Sequence, residues 1–294
     1  MSLAQGKLDE LKTKIFWTFL MLLVFRMAAQ IPVPGVNALA LKSYFAGEGG
    51  RLFDLMNTFS GGAFKRFSIL ALGIMPYITT SIIFSLLGEV VPKIQEMQED
   101  ADGHKKIQKL TRYFTVILCM VQGFGLSAYF ETFKGAGGAA VVASPGLIFK
   151  ISTSITLAAG TMFLLWLGER ITEHGLENGV SLIIFAGIAV ELPSELFQKL
   201  TLYRNGELQG LDLLLTLGVI LATFYIVAYI ERAFRGVPVQ YARKVVNNRM
   251  YGGTQTLPVR VDTGGVMPPI LASSLLAAPS TFASFFTNSA IKPY

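Results

Sequence analysis

Apolar residues in this chain come in long unbroken runs rather than in alternating or amphipathic stripes. Seven runs stand out, at about 15–31, 67–88, 112–131, 147–168, 179–197, 211–230 and 265–287. Each is close to the roughly 20 residues that cross about 30 Å of hydrocarbon at a helical rise of about 1.5 Å. The pattern predicts an all-α membrane protein, a polytopic bundle of about seven transmembrane helices. An eighth apolar stretch is shorter: Leu52, Phe53, Leu55, Met56 and Phe59 keep helical spacing, and Ser60-Gly61-Gly62 ends the run. It is too short to span and too apolar for water, which leaves a re-entrant helix or an interfacial one resting on lipid.

Composition strengthens the membrane reading. Of 294 residues, 52% are hydrophobic and 15% charged, whereas a soluble domain carries about 25% charge. The net charge of +6 is unevenly placed. Lys7, Lys12 and Lys14 before the first run, Lys93, Lys105, Lys106, Lys109 and Arg112 before the third, Arg170, and the basic residues of the long segment after the sixth all fall on one side. Fewer face the other, so the positive-inside rule places the N-terminus in the cytoplasm. No small-residue cleavage pattern follows the first run; Ile31-Pro32-Val33-Pro34-Gly35 does.

Arg26 lies inside the first run. A charge there is costly and marks either function or an end that snorkels or pairs with a neighbouring helix. Residues 233–263 form a basic segment with Phe234, Tyr241 and Tyr251 among its charges. Such interleaving suits RNA or an acidic protein surface, and it also suits an ordinary cytoplasmic loop. Cys119, the single cysteine, reads as a small buried hydrophobe.

No catalytic constellation emerges. The two histidines, His104 and His174, fall between the runs, so no run supplies a Ser-His pair, and no cluster has metal-ligand spacing. A phosphate loop is also missing. Acidic residues such as Glu89, Glu131, Glu169, Glu191, Asp212 and Glu231 sit at run ends rather than at mid-depth, which counts against an ion-coupled transporter. Three stretches instead mix proline, small and hydroxyl residues with aliphatics: 73–82, 179–184 and 266–274. Broken helices of this kind pack closely or line a path.

Those stretches and two loops carry a resemblance. Phe59-Ser60-Gly61-Gly62-Ala63, Leu72-Gly73-Ile74-Met75-Pro76-Tyr77-Ile78, Thr111-Arg112-Tyr113, Trp166-Leu167-Gly168-Glu169-Arg170-Ile171-Thr172, Asn178-Gly179-Val180-Ser181-Leu182-Ile183-Ile184-Phe185-Ala186-Gly187 and Tyr251-Gly252-Gly253-Thr254-Gln255-Thr256-Leu257-Pro258 occur in order. The chain resembles the bacterial SecY family, the channel subunits of the Sec translocon, from about residue 7 to its end.

The resemblance implies a channel that passes unfolded polypeptide across the bacterial inner membrane and releases hydrophobic segments into lipid. It implies no catalysis and no cofactor. Carried over by motif, an aliphatic pore ring would comprise Ile74, Ile78, Val180, Ile184 and Ile270, with Val180 where isoleucine is common. A narrow apolar collar resists ions by dewetting yet offers no directional bonds to a passing chain. Residues 50–62 would be the plug, with Leu52, Phe53, Leu55, Met56, Phe59, Ser60, Gly61 and Gly62, and Phe59 against the ring. Ser81, Ile82, Ser273 and Ser274 would border the lateral gate. Tyr241, Arg243, Lys244 and Arg249 would dock the ribosome or the SecA motor ATPase, with Asn248 standing where a second basic residue is frequent. SecE and SecG-like small subunits, a secretory polypeptide and membrane lipids complete the implied partners. The family has ten spans in two inverted halves, so 1–200 would be the five-span first half and 201–294 the start of the second, with the last three spans absent from this sequence. Two other classes are weighed beside it: a broken-helix secondary transporter of a small solute, and a seven-helix receptor, which has its N-terminus outside.

Overall fold

The structure is a computed structural model that describes residues 2–45, 57, 60–133, 140–176, 178–207, 210–240, 244–246, 249–251 and 254–261. The expected seventh span, and with it Ile270, Ser273 and Ser274, lies outside the described residues, as do Leu52, Phe53, Leu55, Met56, Phe59, Tyr241 and Arg243.

Helix α1 spans Ser2–Ala28. It ends three residues before the expected limit of the first run because Ile31 precedes Pro32 and Val33 precedes Pro34, and the residue before a proline is driven out of the helical region. The extended segment that follows pairs with a later one. Val33 N–H donates to the Phe67 carbonyl and Ile69 N–H to the Ile31 carbonyl, both near 3 Å. A short helix that the hydropathy pattern did not announce, α2 (Ala38–Phe45), is capped by Asn37, whose side-chain oxygen accepts from Leu39 and Ala40 N–H.

The second expected span, 67–88, is corrected. Helix α3 runs over Met75–Val90 only, with Pro76 in its first turn. Residues 60–74 instead form a chain of turns in which Gly61, Gly62, Phe67 and Gly73 all have positive φ. This stem is apolar because it is buried, not because it is helical. Phe64 and Phe67 are wholly inaccessible. After α3 the chain bends by 110° at Val91-Pro92 into α4 (Pro92–Glu99). Helix α5 (Ala101–Phe130) is capped by Asp100 on Gly103 N–H, and α6 covers Leu147–His174. His104 and His174 therefore sit on helix ends rather than in loops. Arg112–Glu169 and Lys150–Glu131 ion pairs tie α5 to α6 at opposite ends, so the two run antiparallel. Helix α7 (Gly179–Arg204) contains Pro193, and α8 spans Gly210–Glu231.

By length and composition, four of these helices (α5 to α8) can cross a membrane, and five if the bent pair α3–α4 is one span. In α1 the apolar stretch is interrupted by Arg26. The described residues fall into two compact units divided between Ser194 and Glu195.

The first unit has two buried clusters. One gathers Val33, Leu41, Phe130, Phe149 and Leu157; the other gathers Phe25, Ala29, Leu164, Leu167 and Ile183. The stem contributes to both, with Phe64, Phe67 and Leu72 in the first and Ala63 and Leu70 in the second. Phe67 stacks on Phe130 at 3.9 Å between ring centroids. That contact compensates a φ of 46°, which a bulky residue rarely adopts.

In the second unit, Lys199 Nζ donates to Thr216 Oγ1 at 3.2 Å. The segment expected as a basic loop forms antiparallel ribbons: β1 (Phe234–Gln240) with β4 (Thr254–Arg260), and β2 (Lys244–Val246) with β3 (Arg249–Tyr251). Pro238 opposes Thr256 and Pro258 opposes Gly236. A two-stranded ribbon accommodates both prolines because each strand has an unpaired edge.

Candidate functional site

The stem brings three elements to one place. At its start Gly61 lies against Gly187 on α7, so closely that a Cβ on Gly61 would sit 2.8 Å from the Gly187 Cα. At its end Gly73 lies beside Ser60, a Cβ there falling 3.8 Å from the Ser60 Cα, and the buried Thr161 hydroxyl of α6 donates to the Gly73 carbonyl at 3.1 Å. The next residue, Ile74, is the N-cap of α3. Both ends of the stem therefore meet at the first turn of α3.

Asn57 organises the turn from below. It is 3% exposed. Its carbonyl accepts from Gly62 N–H and from the Ser60 hydroxyl, and its Oδ1 accepts from Lys65 N–H, each at 3.0 Å. Its Nδ2 donates to Glu191 Oε1 on α7 at 2.9 Å. The Ser60 hydroxyl in turn accepts from Phe64 N–H. Arg26, the charge inside the first run, donates to the Gly61 carbonyl at 2.8 Å, and Arg66 donates to Gln30 just beyond α1. Of the two open readings for Arg26, the structure gives it a protein partner. That partner is a backbone carbonyl of the stem.

Of the expected ring residues, Ile74 and Ile78 are buried at the start of α3, and Val180 and Ile184 are half-buried on α7. The Val180 side chain rests against Gly168 of α6, its Cγ2 3.1 Å from where a Cβ would stand. On α7 the spacing Val180, Ile184, Gly187, Glu191 is four, three and four residues, which places all of them on one helical face. The stripe that offers aliphatics near its start thus holds the stem one turn further on. Ser60, Gly61 and Gly62 belong to this assembly. Ser81 is half-buried and Ile82 buried on α3. Lys244 opposes Tyr251 and Arg249 opposes Val246 in the small ribbon.

Motif reading passed over Asn57, and it connected neither Gly187, the last residue of the 178–187 motif, nor Glu191 to the turn. The contacts join residues 134 positions apart, and a lone asparagine beside an apolar run has no sequence signal of its own. Among the described residues no group of His, Cys, Asp and Glu could hold a metal ion.

A helical membrane protein with buried non-helical backbone between its spans is the class that this geometry defines, and comparison with known proteins narrows it. The SecY family model matches residues 68–294. The protein translocase subunit SecY of Buchnera aphidicola is 41% identical over 285 residues, which cover 96% of this chain and 80% of that protein. That of Escherichia coli K12 is also 41% identical over 96% of this chain, but the match covers 64% of its length. The chain belongs to the SecY family. A solved protein-conducting channel matches 96% of the chain with a TM-score of 0.66 at 19% identity, and Sec61 in the canine ribosome-channel complex matches with 0.65; both are covered to 60%. These share the fold. The chain thus spans about two thirds of the length of most such relatives.

Proposed function

We propose that this chain forms part of the wall of a protein-conducting channel, passing unfolded polypeptide across a bacterial inner membrane and releasing hydrophobic segments into lipid. The observation that carries this reading is the buried stem. Non-helical backbone at membrane depth is tolerated only where protein or a water-filled cavity surrounds it, and here it ends beside Ile74 and along the stripe of Val180 and Ile184. Ile74, Ile78, Val180, Ile184 and Ile270 form the apolar collar. The plug, 50–62, closes it and is anchored through the stem. Ser81, Ile82, Ser273 and Ser274 border the lateral opening.

The basic ribbon, with Tyr241, Arg243, Lys244 and Arg249, docks the ribosome or the SecA motor on the cytoplasmic side, where the positive-inside bias also puts the N-terminus. SecE and SecG-like subunits assemble around the bundle. Residues 1–200 act as one half of the channel and 201–294 as the start of the other. The chain itself is passive: the driving force comes from its partners.

Replacing Ile78 or Ile184 with Asn is expected to raise ion conductance in vesicles reconstituted with the assembled complex, because a polar collar wets. Unchanged conductance at equal folded protein would sink the ring assignment.

A further inference from the structure

Asn57 makes more directed contacts than any role as a packing residue requires. Three of them knit its own turn together, and the fourth leaves the turn for the Glu191 carboxylate of α7. The adjoining contact, Gly61 on Gly187, has no side chain on either partner. It allows the stem to come close but gives nothing directional to hold it. The carboxylate supplies what the glycines lack, since a hydrogen bond to an ionised acceptor in a poorly hydrated site is stronger than one between neutral groups. Two guanidiniums lie near the Glu191 carboxylate: Arg26, which interacts with its charge while holding the Gly61 carbonyl, and Arg66, whose Nη2 flanks Gly62 together with Glu191 Oε1.

We propose that the Asn57–Glu191 hydrogen bond is a latch that sets how readily the stem departs from α7, with Arg26 on Gly61 as its second tie. The latch is a feature of the described residues 57, 60–66 and 187–191. It rests on the channel reading only for its consequence, which is that releasing it favours the open pore.

The test uses the full chain in lipid vesicles. Ala63 lies in the stem and is wholly buried, as is the native Cys119 on α5. An Ala63→Cys variant is exposed to a small methanethiosulfonate reagent, and modification at the two cysteines is resolved by peptide mass spectrometry. Adding Glu191→Leu is expected to speed modification at position 63 by about tenfold or more, the effect of losing one charge-assisted hydrogen bond from an opening equilibrium. Cys119 stays unmodified. Glu191→Gln, which keeps an acceptor for Asn57 but loses its charge, falls between the parent and the Leu variant.

An unchanged rate in the Leu variant overturns the latch. So does equal exposure of Cys119, which would mean general loosening, and so does a Gln variant as fast as the Leu variant. Ion conductance of the same vesicles bears on the channel reading alone. Fast modification without leak keeps the latch and counts against the pore.

Discussion

Helices α6 and α8 look alike as sequence and differ as structure. Both are long and apolar enough to cross a membrane, and α8 is the more hydrophobic, with a mean hydropathy of 2.4 against 1.6. Yet 44% of the apolar window of α6 is buried inside the protein and none of that of α8. The difference lies in the small residues. Along α6, Gly160 admits the carbonyl of Ile69, Gly168 admits Val180, and Thr161 reaches Gly73. Along α8, Leu211, Leu214, Leu215 and Phe224 stand exposed, and none of the described residues comes near Gly218. Lipid tails are as apolar as leucine, so hydropathy fixes depth and gives helices no reason to associate. Close approach of backbones does.

The largest break in that comparison is expected from Gly160→Val. Any Cβ at this position overlaps the Ile69 carbonyl oxygen, which is backbone and cannot swing aside. Overpacking ordinarily costs about 1–3 kcal/mol, and more where main chain must move. The stem would be forced off α6 and the Thr161 bond lost with it. Thermal unfolding in detergent should show a large drop or no folded protein. A stability equal to the parent would mean that the stem does not lie on α6.

Next comes a matched pair of phenylalanines. Phe130 on α5 is wholly buried and stacks on Phe67, whereas Phe224 on α8 is 62% exposed. Phe130→Ala is expected to cost about 3 kcal/mol or more through the cavity and the lost support for Phe67. Phe224→Ala should change stability by under about 0.5 kcal/mol. Equal losses in the two variants would erase the distinction between packed and unpacked helices.

How much of this was legible depended on the kind of signal. The starts of α6 and α7, at Leu147 and Gly179, coincide with the runs read from the sequence, because a membrane span is a compositional property. The stem failed for the same reason. Phe67, Leu70, Leu72 and Ile74 are as apolar as a span, and nothing in hydropathy separates a buried turn from a helix; only Gly73 and Pro76 hinted that α3 begins late. The ribbon at 234–260 read as a basic loop because its alternation, carried by Val237, Val239, Leu257 and Val259, is broken by prolines.

At the candidate site, the glycines at 61, 62 and 73 were visible as motif letters without a reason. The structure supplies one: positive φ at all three, and backbone contact with Gly187 at the first. Arg26 was conspicuous, but its partner is a main-chain oxygen, and main-chain atoms leave no trace in side-chain patterns. Asn57 with Glu191 was illegible for want of any local spacing rule across so long a separation.

The smallest effect is expected from the glycine of α8. Gly218 lies in the middle of the helix, and among the described residues no atom is near its missing side chain. Gly218→Ala adds a methyl group into open space and removes backbone freedom from the unfolded chain, so stability should stay level or rise by at most about 1 kcal/mol. Function should not change. The same substitution at Gly160 brings even a single methyl into the Ile69 carbonyl, so the two alanine variants isolate packing from propensity at equal chemistry. If Gly218→Ala were as damaging as Gly160→Ala, a backbone would have to lie against α8 at that level, and its apolar face would then be a packing surface rather than a lipid-facing one. Unfolding curves of the two variants, taken side by side in the same detergent, decide between those readings.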